Sequence, residues 1–116
     1  MTLPDFPTHL IAILRDAAHI VILTGAGVSA ESGIPTFRQA QTGLWAQYSP
    51  EQLATPDAFR RNPGLVWRWY QWRKQLVSSA APNPAHIALA HMQTAARQLT
   101  LITQNVDGLH LSLIHI

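Results

Sequence analysis

The chain has 116 residues, of which 47% are hydrophobic and 12% are charged, and its formal net charge at pH 7 is +2. This length suffices for one small domain, the low charged fraction predicts a piece of a larger folded unit, and the small net charge does not indicate nucleic-acid or membrane binding. The sequence has no cysteine, no segment of membrane-spanning length and no export signal, so we expect a cytoplasmic protein without disulfides or thiolate metal sites.

The first predicted helix spans residues 9–19. Four of its residues share one apolar face at helical spacing: Leu10, Ile13, Leu14 and Ala17. We expect this face to cover the following strand, residues 20–23, whose β-branched residues are typical of a buried parallel strand.

Gly25-Ala26-Gly27 follows that strand and allows the backbone to turn and approach a ligand closely. A strand that runs into a Gly-rich turn presents backbone N–H groups to phosphates in open α/β sheets. Ala30 occupies the place of the third glycine in the dinucleotide-binding pattern, so the glycines alone leave a tight turn without a ligand equally open.

Residues 39–54 are predicted to form a loop, followed by a short helical turn over residues 55–61 with Thr55 as its N-cap. A longer helix is predicted from Asn62-Pro63 to about Ser79. Its apolar stripe has four members: Leu65, Trp69, Trp72 and Leu76.

After a linker over residues 80–84, a helix is predicted over residues 86–98 and a second strand over residues 99–103. The inward face of that helix is predicted to carry four residues: Ile87, Leu89, Ala90 and Met92. The Gly-rich segment therefore follows the first predicted strand, and the Asn/Asp-containing segment follows the second. Open α/β sheets bind ligands at such strand ends.

Two long motifs carry a specific resemblance. The first is Gly-Ala-Gly-Val-Ser-Ala-Glu-Ser-Gly-Ile-Pro-Thr-Phe-Arg at residues 25–38, and the second is Thr-Gln-Asn-Val-Asp-Gly-Leu-His at residues 103–110. They resemble the signature blocks of the sirtuins, the NAD-dependent protein deacylases, with Val106 in place of the usual isoleucine. The resemblance implies a partial doubly wound, Rossmann-like α/β parallel sheet in residues 1–110, whereas residues 111–116 depart from the family and are expected to be a non-native tail.

The resemblance implies NAD as cofactor, with Gly25, Ala26 and Gly27 near the phosphates and Asn105 and Asp107 supporting catalysis around the nicotinamide. The implied cofactor-binding set is Gly25, Ala26, Gly27, Ser29, Glu31, Ser32, Gly33, Ile34, Pro35, Thr36, Phe37, Arg38, Trp45, Gln104, Asn105, Val106 and Asp107. Trp45 is expected mainly to pack its loop down. Asn83 and His86 match a family Asn-x-x-His and are expected to be structural.

Tyr70 and Arg73 lie three residues apart on the predicted long helix and therefore share a face. The pair resembles that of the class III sirtuins, which prefer succinyl-, malonyl- or glutaryl-lysine to acetyl-lysine. A guanidinium fork suits a terminal carboxylate and a phenol adds a donor. A packing Tyr beside a surface Arg is the alternative, and Arg68 and Lys74 are expected to be solvated.

The resemblance covers only the N-terminal half of a family member. The family's structural zinc, held by four cysteines, and its catalytic histidine, in a His-Gly pair, belong to the part beyond residue 110, and His110 is not that histidine. The expected function is deacylation of succinyl-, malonyl- and acetyl-lysine proteins by a monomer, with this fragment inactive alone. The alternatives are protein mono-ADP-ribosyl transfer and a non-catalytic NAD-binding fragment.

Overall fold

The computed structural model describes residues 4–36 and 43–113. In these ranges the α-helices and strands follow one another as α1 (Thr8–Asp16), β1 (Ile20–Thr24), α2 (Pro56–Arg61), α3 (Pro63–Ser79), α4 (Pro84–Ala95) and β2 (Leu99–Thr103). Three short 3-10 helices precede α2, at Ala26–Ser32, Gly43–Gln47 and Pro50–Gln52.

The two strands form a parallel pair, in register from Ile20 opposite Leu99 to Thr24 opposite Thr103. The backbone N–H of Gln104 donates to the Thr24 carbonyl at 3.1 Å and extends the pairing by one residue. Because the strands are parallel, the segments that follow them meet at the same edge. Both predicted strands and the α/β class are confirmed.

The expectation that the first helix covers β1 is wrong within the described residues. Helix α1 ends at Asp16, because Ala17 is extended, and none of its residues is buried. The side chains of Val21 and Leu23 are 59% and 67% exposed. Strand β1 is therefore half-buried with alternating exposure, and Val21 and Leu23 lie on its exposed face.

A small aromatic core lies between α3 and the segment that precedes α2. Trp45, Leu53 and Trp69 are buried together, and Tyr48 and Trp72 pack against them. Residues 43–54 are thus more ordered than the predicted loop. The Ser49 N–H donates to Gln52 Oε1 at 2.7 Å and closes a capping box on the short helix Pro50–Gln52.

Helices α2 and α3 begin as predicted. The Thr55 hydroxyl accepts from the Ala58 N–H at 3.1 Å, and Asn62 Oδ1 accepts from the Leu65 N–H at 3.2 Å. Helix α4 ends at Ala95 rather than residue 98, and Ile87 is exposed rather than inward. No helix of the described ranges is long and apolar enough to cross a membrane.

Candidate functional site

A cavity of about 510 Å³ lies at the edge where β1 and β2 both end. The segment after β1 contributes Ala26, Ser29 and Ile34 to its wall. The segment after β2 contributes Gln104, Asn105, Val106 and Asp107. Helix α3 contributes Tyr70, Arg73, Lys74 and Val77. The fold therefore brings both sequence motifs and the Tyr70–Arg73 pair to one opening.

Ser29 joins the two motifs. Its side chain is 1% exposed, and its hydroxyl donates to Asp107 Oδ2 at 2.7 Å. Asn105 Nδ2 donates to the Gly25 carbonyl at 2.9 Å and lies 3.4 Å from Ser29 Oγ. Asp107 Oδ1 accepts from the Leu109 N–H at 3.0 Å, so both carboxylate oxygens are held in place. These bonds preorganise an amide and a carboxylate at the cavity wall.

Asn83, which caps α4, anchors the 3-10 helix Ala26–Ser32 from behind. Its Oδ1 accepts from the Ala85 N–H at 2.9 Å, while its Nδ2 donates to the Val28 carbonyl at 2.8 Å and to Ser32 Oγ at 3.0 Å. Two polar groups of the first motif, the Val28 carbonyl and the Ser32 hydroxyl, are thus held by one buried amide. The cap is visible in the sequence, whereas the contact across 55 residues is not.

His86 contacts Ser29, a role that the sequence reasoning missed. The Asn83 N–H donates to His86 Nδ1 at 3.1 Å, so Nδ1 carries the lone pair and the neutral ring bears its proton on Nε2. Nε2 lies 3.4 Å from Ser29 Oγ. The His86 Nε2–H therefore faces Ser29 Oγ as a donor, and the Ser29 hydroxyl in turn donates to Asp107. The only sequence signal is the spacing of Asn83 and His86.

The glycines of the first motif leave open space. A Cβ on Gly25 or Gly27 would meet no atom of residues 4–36 and 43–113 within 4 Å, and Gly25 is extended, a conformation open to any residue. Neither packing against the described residues nor backbone geometry therefore requires glycine there. The open space leaves room for a ligand to approach this backbone closely. Gly33 differs, because its φ of 90° favours glycine.

The remaining residues of the first motif are placed as follows. Glu31 is exposed, Ser32 is half-buried on Asn83, and Thr36 is half-buried. Phe37 and Arg38 lie outside the described residues. Trp45 lies in the aromatic core and not on the wall of the cavity, as expected for a residue that packs its segment down.

The Arg73 guanidinium lies between the cavity and the aromatic core. Its Nη1 donates to the Pro35 carbonyl at 3.4 Å, and its Cζ lies 5.2 Å from the centroid of the Trp69 ring. Burial lowers the pKa of Arg73 from its ordinary value and neighbouring Tyr70 opposes that shift, but the group remains cationic at neutral pH. Lys74, expected to be solvated, also lines the cavity.

Among the described residues, no group of three or more His, Asp or Glu side chains is placed to hold a metal ion. The cavity is instead lined by the primary amides of Gln104 and Asn105, the carboxylate of Asp107 and the cations of Arg73 and Lys74. Such a set suits an anionic ligand that also carries an amide.

Comparison with known proteins agrees with this geometry. The sequence model of the Sir2 family matches residues 25–113. An NAD-dependent protein deacylase of Methylococcus capsulatus is 58% identical over 106 residues, which cover 91% of this chain and 42% of that protein. An NAD-dependent protein deacylase of Aquifex aeolicus is 60% identical over 92 residues, covering 79% of this chain and 38% of that protein.

Solved structures of Sir2 homologues superpose closely on the chain. A mutant homologue in complex with 2'-O-acetyl ADP-ribose has a TM-score of 0.86 at 49% identity, covering 96% of this chain and 44% of that one. A Sir2 homologue–NAD complex has a TM-score of 0.82 at 50% identity, covering 92% of this chain and 41% of that one. The chain thus spans less than half the length of these relatives. It belongs to the Sir2 family, the sirtuins, as its two motifs indicate.

Proposed function

We propose that the protein containing this chain is an NAD-dependent protein-lysine deacylase that prefers acyl groups ending in a carboxylate. The observation that carries the proposal is the single cavity shared by the Ser29–Asp107 pair and by Tyr70 and Arg73. The relatives named as NAD-dependent protein deacylases support the general activity. The acyl preference rests on the chemistry of the cavity wall.

The residues present fit a nicotinamide dinucleotide. The open space beside Gly25 and Gly27 admits phosphates close to backbone N–H groups, and Asn105 and Asp107 offer an amide and a carboxylate to a primary amide. Bound NAD supplies a ribose carbon with nicotinamide as its leaving group. The chain's own contribution is to hold these groups in place before the ligand arrives, which lowers the cost of ordering them.

Tyr70 and Arg73 support a carboxylated acyl group. Both line the same cavity as Ser29 and Asp107, and the partly buried guanidinium can form a bidentate pair with a carboxylate. A carboxylate can also approach Lys74, which adds charge without the fork geometry. An acetyl group has no terminal carboxylate that could bind Arg73 or Lys74. Succinyl-, malonyl- and acetyl-lysine proteins are therefore the proposed substrates. Of these, acetyl-lysine proteins are the least preferred.

We also propose that the general base comes from outside this chain. The lone pair of His86 accepts a hydrogen bond from Asn83, and its other nitrogen faces Ser29. His110 is buried with Nε2 on Thr24. Neither ring is placed to take a proton from a ligand in the cavity. The 116 residues by themselves are accordingly proposed to be inactive.

The test requires a complete enzyme, obtained by joining residues 1–110 to the C-terminal part of the Methylococcus capsulatus relative. We refer to this protein as the completed enzyme. Nicotinamide release and peptide deacylation are followed with succinyl-, malonyl- and acetyl-lysine peptides. Arg73→Met should lower kcat/KM for desuccinylation by about 10- to 100-fold, the equivalent of one strong charged hydrogen bond, and leave deacetylation within about threefold.

Arg68→Met is the matched control, because Arg68 is exposed on the same helix and does not line the cavity. It should leave both activities unchanged. Melting temperatures of both variants show whether loss of the Arg73–Pro35 bond perturbs the fold. Equal loss of desuccinylation and deacetylation in Arg73→Met would contradict the acyl preference. ADP-ribose attached to protein with the acyl group retained would favour mono-ADP-ribosyl transfer instead.

A further inference from the structure

Two buried histidines lie in contact behind the cavity wall. His86 from α4 is 1% exposed and His110 from the second motif is 3% exposed. Their ring centroids are 4.8 Å apart at an interplanar angle of 63°, an edge-to-face arrangement. Neither ring lines the cavity that holds Ser29 and Asp107. Their contact is therefore a support for the site rather than part of its surface.

The His86 ring contacts the Ser29 hydroxyl on the side away from Asp107 Oδ2 in the hydrogen-bond sequence. With Nδ1 held by the Asn83 N–H, the Nε2–H points to Ser29 Oγ, and the Ser29 hydroxyl donates a hydrogen bond to Asp107. The His86–Ser29 distance of 3.4 Å is long for a hydrogen bond. Such a weak contact depends on what packs against the other side of the ring.

His110 provides that packing and also links the second motif to β1 and to α4. Its Nε2 lies 3.0 Å from Thr24 Oγ1 at the end of β1, and its ring packs against His86 of α4. The adjacent Leu109 N–H holds Asp107. Its Nδ1 is buried and has no hydrogen-bond partner among the described residues. The ring therefore packs behind the site, and a protonated ring would have an Nδ1–H without a hydrogen-bond partner among the described residues.

We infer that His110 is a positioning residue, whose uncharged ring holds His86 against Ser29 and whose protonation releases that arrangement. The inference rests on the proposed function, because the arrangement is part of the proposed NAD site. It adds a residue that does not line the 510 Å³ cavity and acts through His86 and Asp107.

The charges around His110 explain this behaviour. His86 of α4 and Asp107 of its own turn are the titratable groups that act on it, while β1 presents the uncharged Thr24. Burial lowers the pKa of His110 from its ordinary value of 6.5, His86 lowers it further, and Asp107 opposes them. A cation at His110 would attract the Asp107 carboxylate away from Ser29 and would disfavour the contact with His86.

The experiment measures the dissociation constant of NAD for the completed enzyme between about pH 5.5 and pH 7.5, where histidine titrates. His110→Gln keeps a polar group for Thr24 without a titrating ring, and His110→Ala removes the packing. His91→Gln is the control, because His91 is exposed on α4. In parallel, ¹⁵N NMR of the 116-residue chain follows the His86 nitrogens over the same pH range.

We expect the parent and His91→Gln to lose NAD affinity progressively as the pH falls through the range, and His110→Gln to lose this pH dependence. His110→Ala should bind roughly tenfold more weakly throughout, a typical effect of removing a supporting partner. The inference is overturned if His110→Gln keeps the acid loss, or if His110→Ala binds NAD like the parent at pH 7.5.

The NMR measurement separates this inference from the proposed function. In the parent chain the His86 nitrogens should shift as His110 titrates, and in His110→Gln they should not. If no protein in the series binds NAD, the proposed function fails, and the NMR result alone decides whether His110 controls His86. Identical His86 titration curves in the parent and in His110→Gln would overturn the inference.

Discussion

At the scale of single residues, the site is held by side chains that each bond to more than one element. Ser29 bonds to Asp107 in the second motif and approaches His86 of α4. Asn105 reaches back to the Gly25 carbonyl. Because each group has partners on separate segments, moving any one of those segments disturbs the whole set. Residue-level tests at the site therefore need controls that distinguish binding from folding.

Gly27→Ala is such a test. The added methyl meets no atom of the described residues within 4 Å, and alanine loses less backbone entropy than glycine, so the free energy of unfolding should rise by up to about 1 kcal/mol. NAD affinity of the completed enzyme should nevertheless fall, because the methyl occupies space open to the ligand. Thermal unfolding and NAD titration measure the two effects.

Gly64→Ala serves as the control for that substitution. Its Cβ would meet only Asn62 Oδ1 at 3.8 Å and Arg68 Nη1 at 3.9 Å, which are ordinary contacts, and the position is remote from the cavity wall. It should stabilise α3 and leave NAD binding unchanged. A drop of several degrees in the melting temperature of Gly27→Ala would instead assign that glycine to the fold.

At the scale of elements, one helix cap stabilises only its own helix, whereas another also holds a segment of the candidate site. Asn62 caps α3 from an exposed position, whereas Asn83 caps α4 and also holds the 3-10 helix Ala26–Ser32. A surface cap contributes about 1 kcal/mol. A buried amide that also satisfies a carbonyl and a hydroxyl contributes more, since its loss leaves those groups without partners.

Asn83→Ala should therefore lower the free energy of unfolding by about 2–3 kcal/mol, and Asn62→Ala by about 1 kcal/mol. Urea denaturation of the two variants and the parent measures the difference. Similar losses in both variants would show that the contacts of Asn83 with Val28 and Ser32 add nothing to its role as a cap.

At the scale of the whole molecule, the described fold is open. The radius of gyration is 17.8 Å, whereas a compact domain of this length has one of about 13 Å. Val21, Leu23 and Ile102 expose apolar side chains on the sheet. An apolar face of this kind is typical of a surface that further protein covers, and the relatives are more than twice as long as the matched segment.

The stability of the chain should fall in mild acid because of His110. Its pKa is lowered in the folded state, so between that pKa and 6.5 the unfolded chain binds more protons and the free energy of unfolding decreases as pH falls. The slope for one proton approaches about 1.4 kcal/mol per pH unit.

Urea unfolding between about pH 7.5 and pH 5.5 measures this dependence in the range of histidine titration. His110→Gln should flatten the curve, whereas His91→Gln, an exposed control, should follow the parent. A curve for His110→Gln that runs parallel to that of the parent would assign the pH dependence to other groups.

Local patterns in the sequence determined the strands, the starts of α2 and α3 and the identity of the two motifs. Strand boundaries follow from β-branched runs, and helix starts follow from Thr55-Pro56 and Asn62-Pro63, because caps act within one turn. The family could be recognised because the motifs are continuous in the chain. By the same reasoning, Tyr70 and Arg73 could be assigned to one face of a helix.

Tertiary structure alone decided what lies behind and around those motifs. The sequence placed Asn83 and His86 in a structural role, but their contacts with Val28 and Ser29 span 55 and 57 residues. The pairing of His86 with His110, the place of Lys74 on the cavity wall and the exposure of α1 likewise depend on how distant segments pack. Periodicity and capping act over a few residues, whereas these contacts exist only once a parallel pair brings two strand ends together.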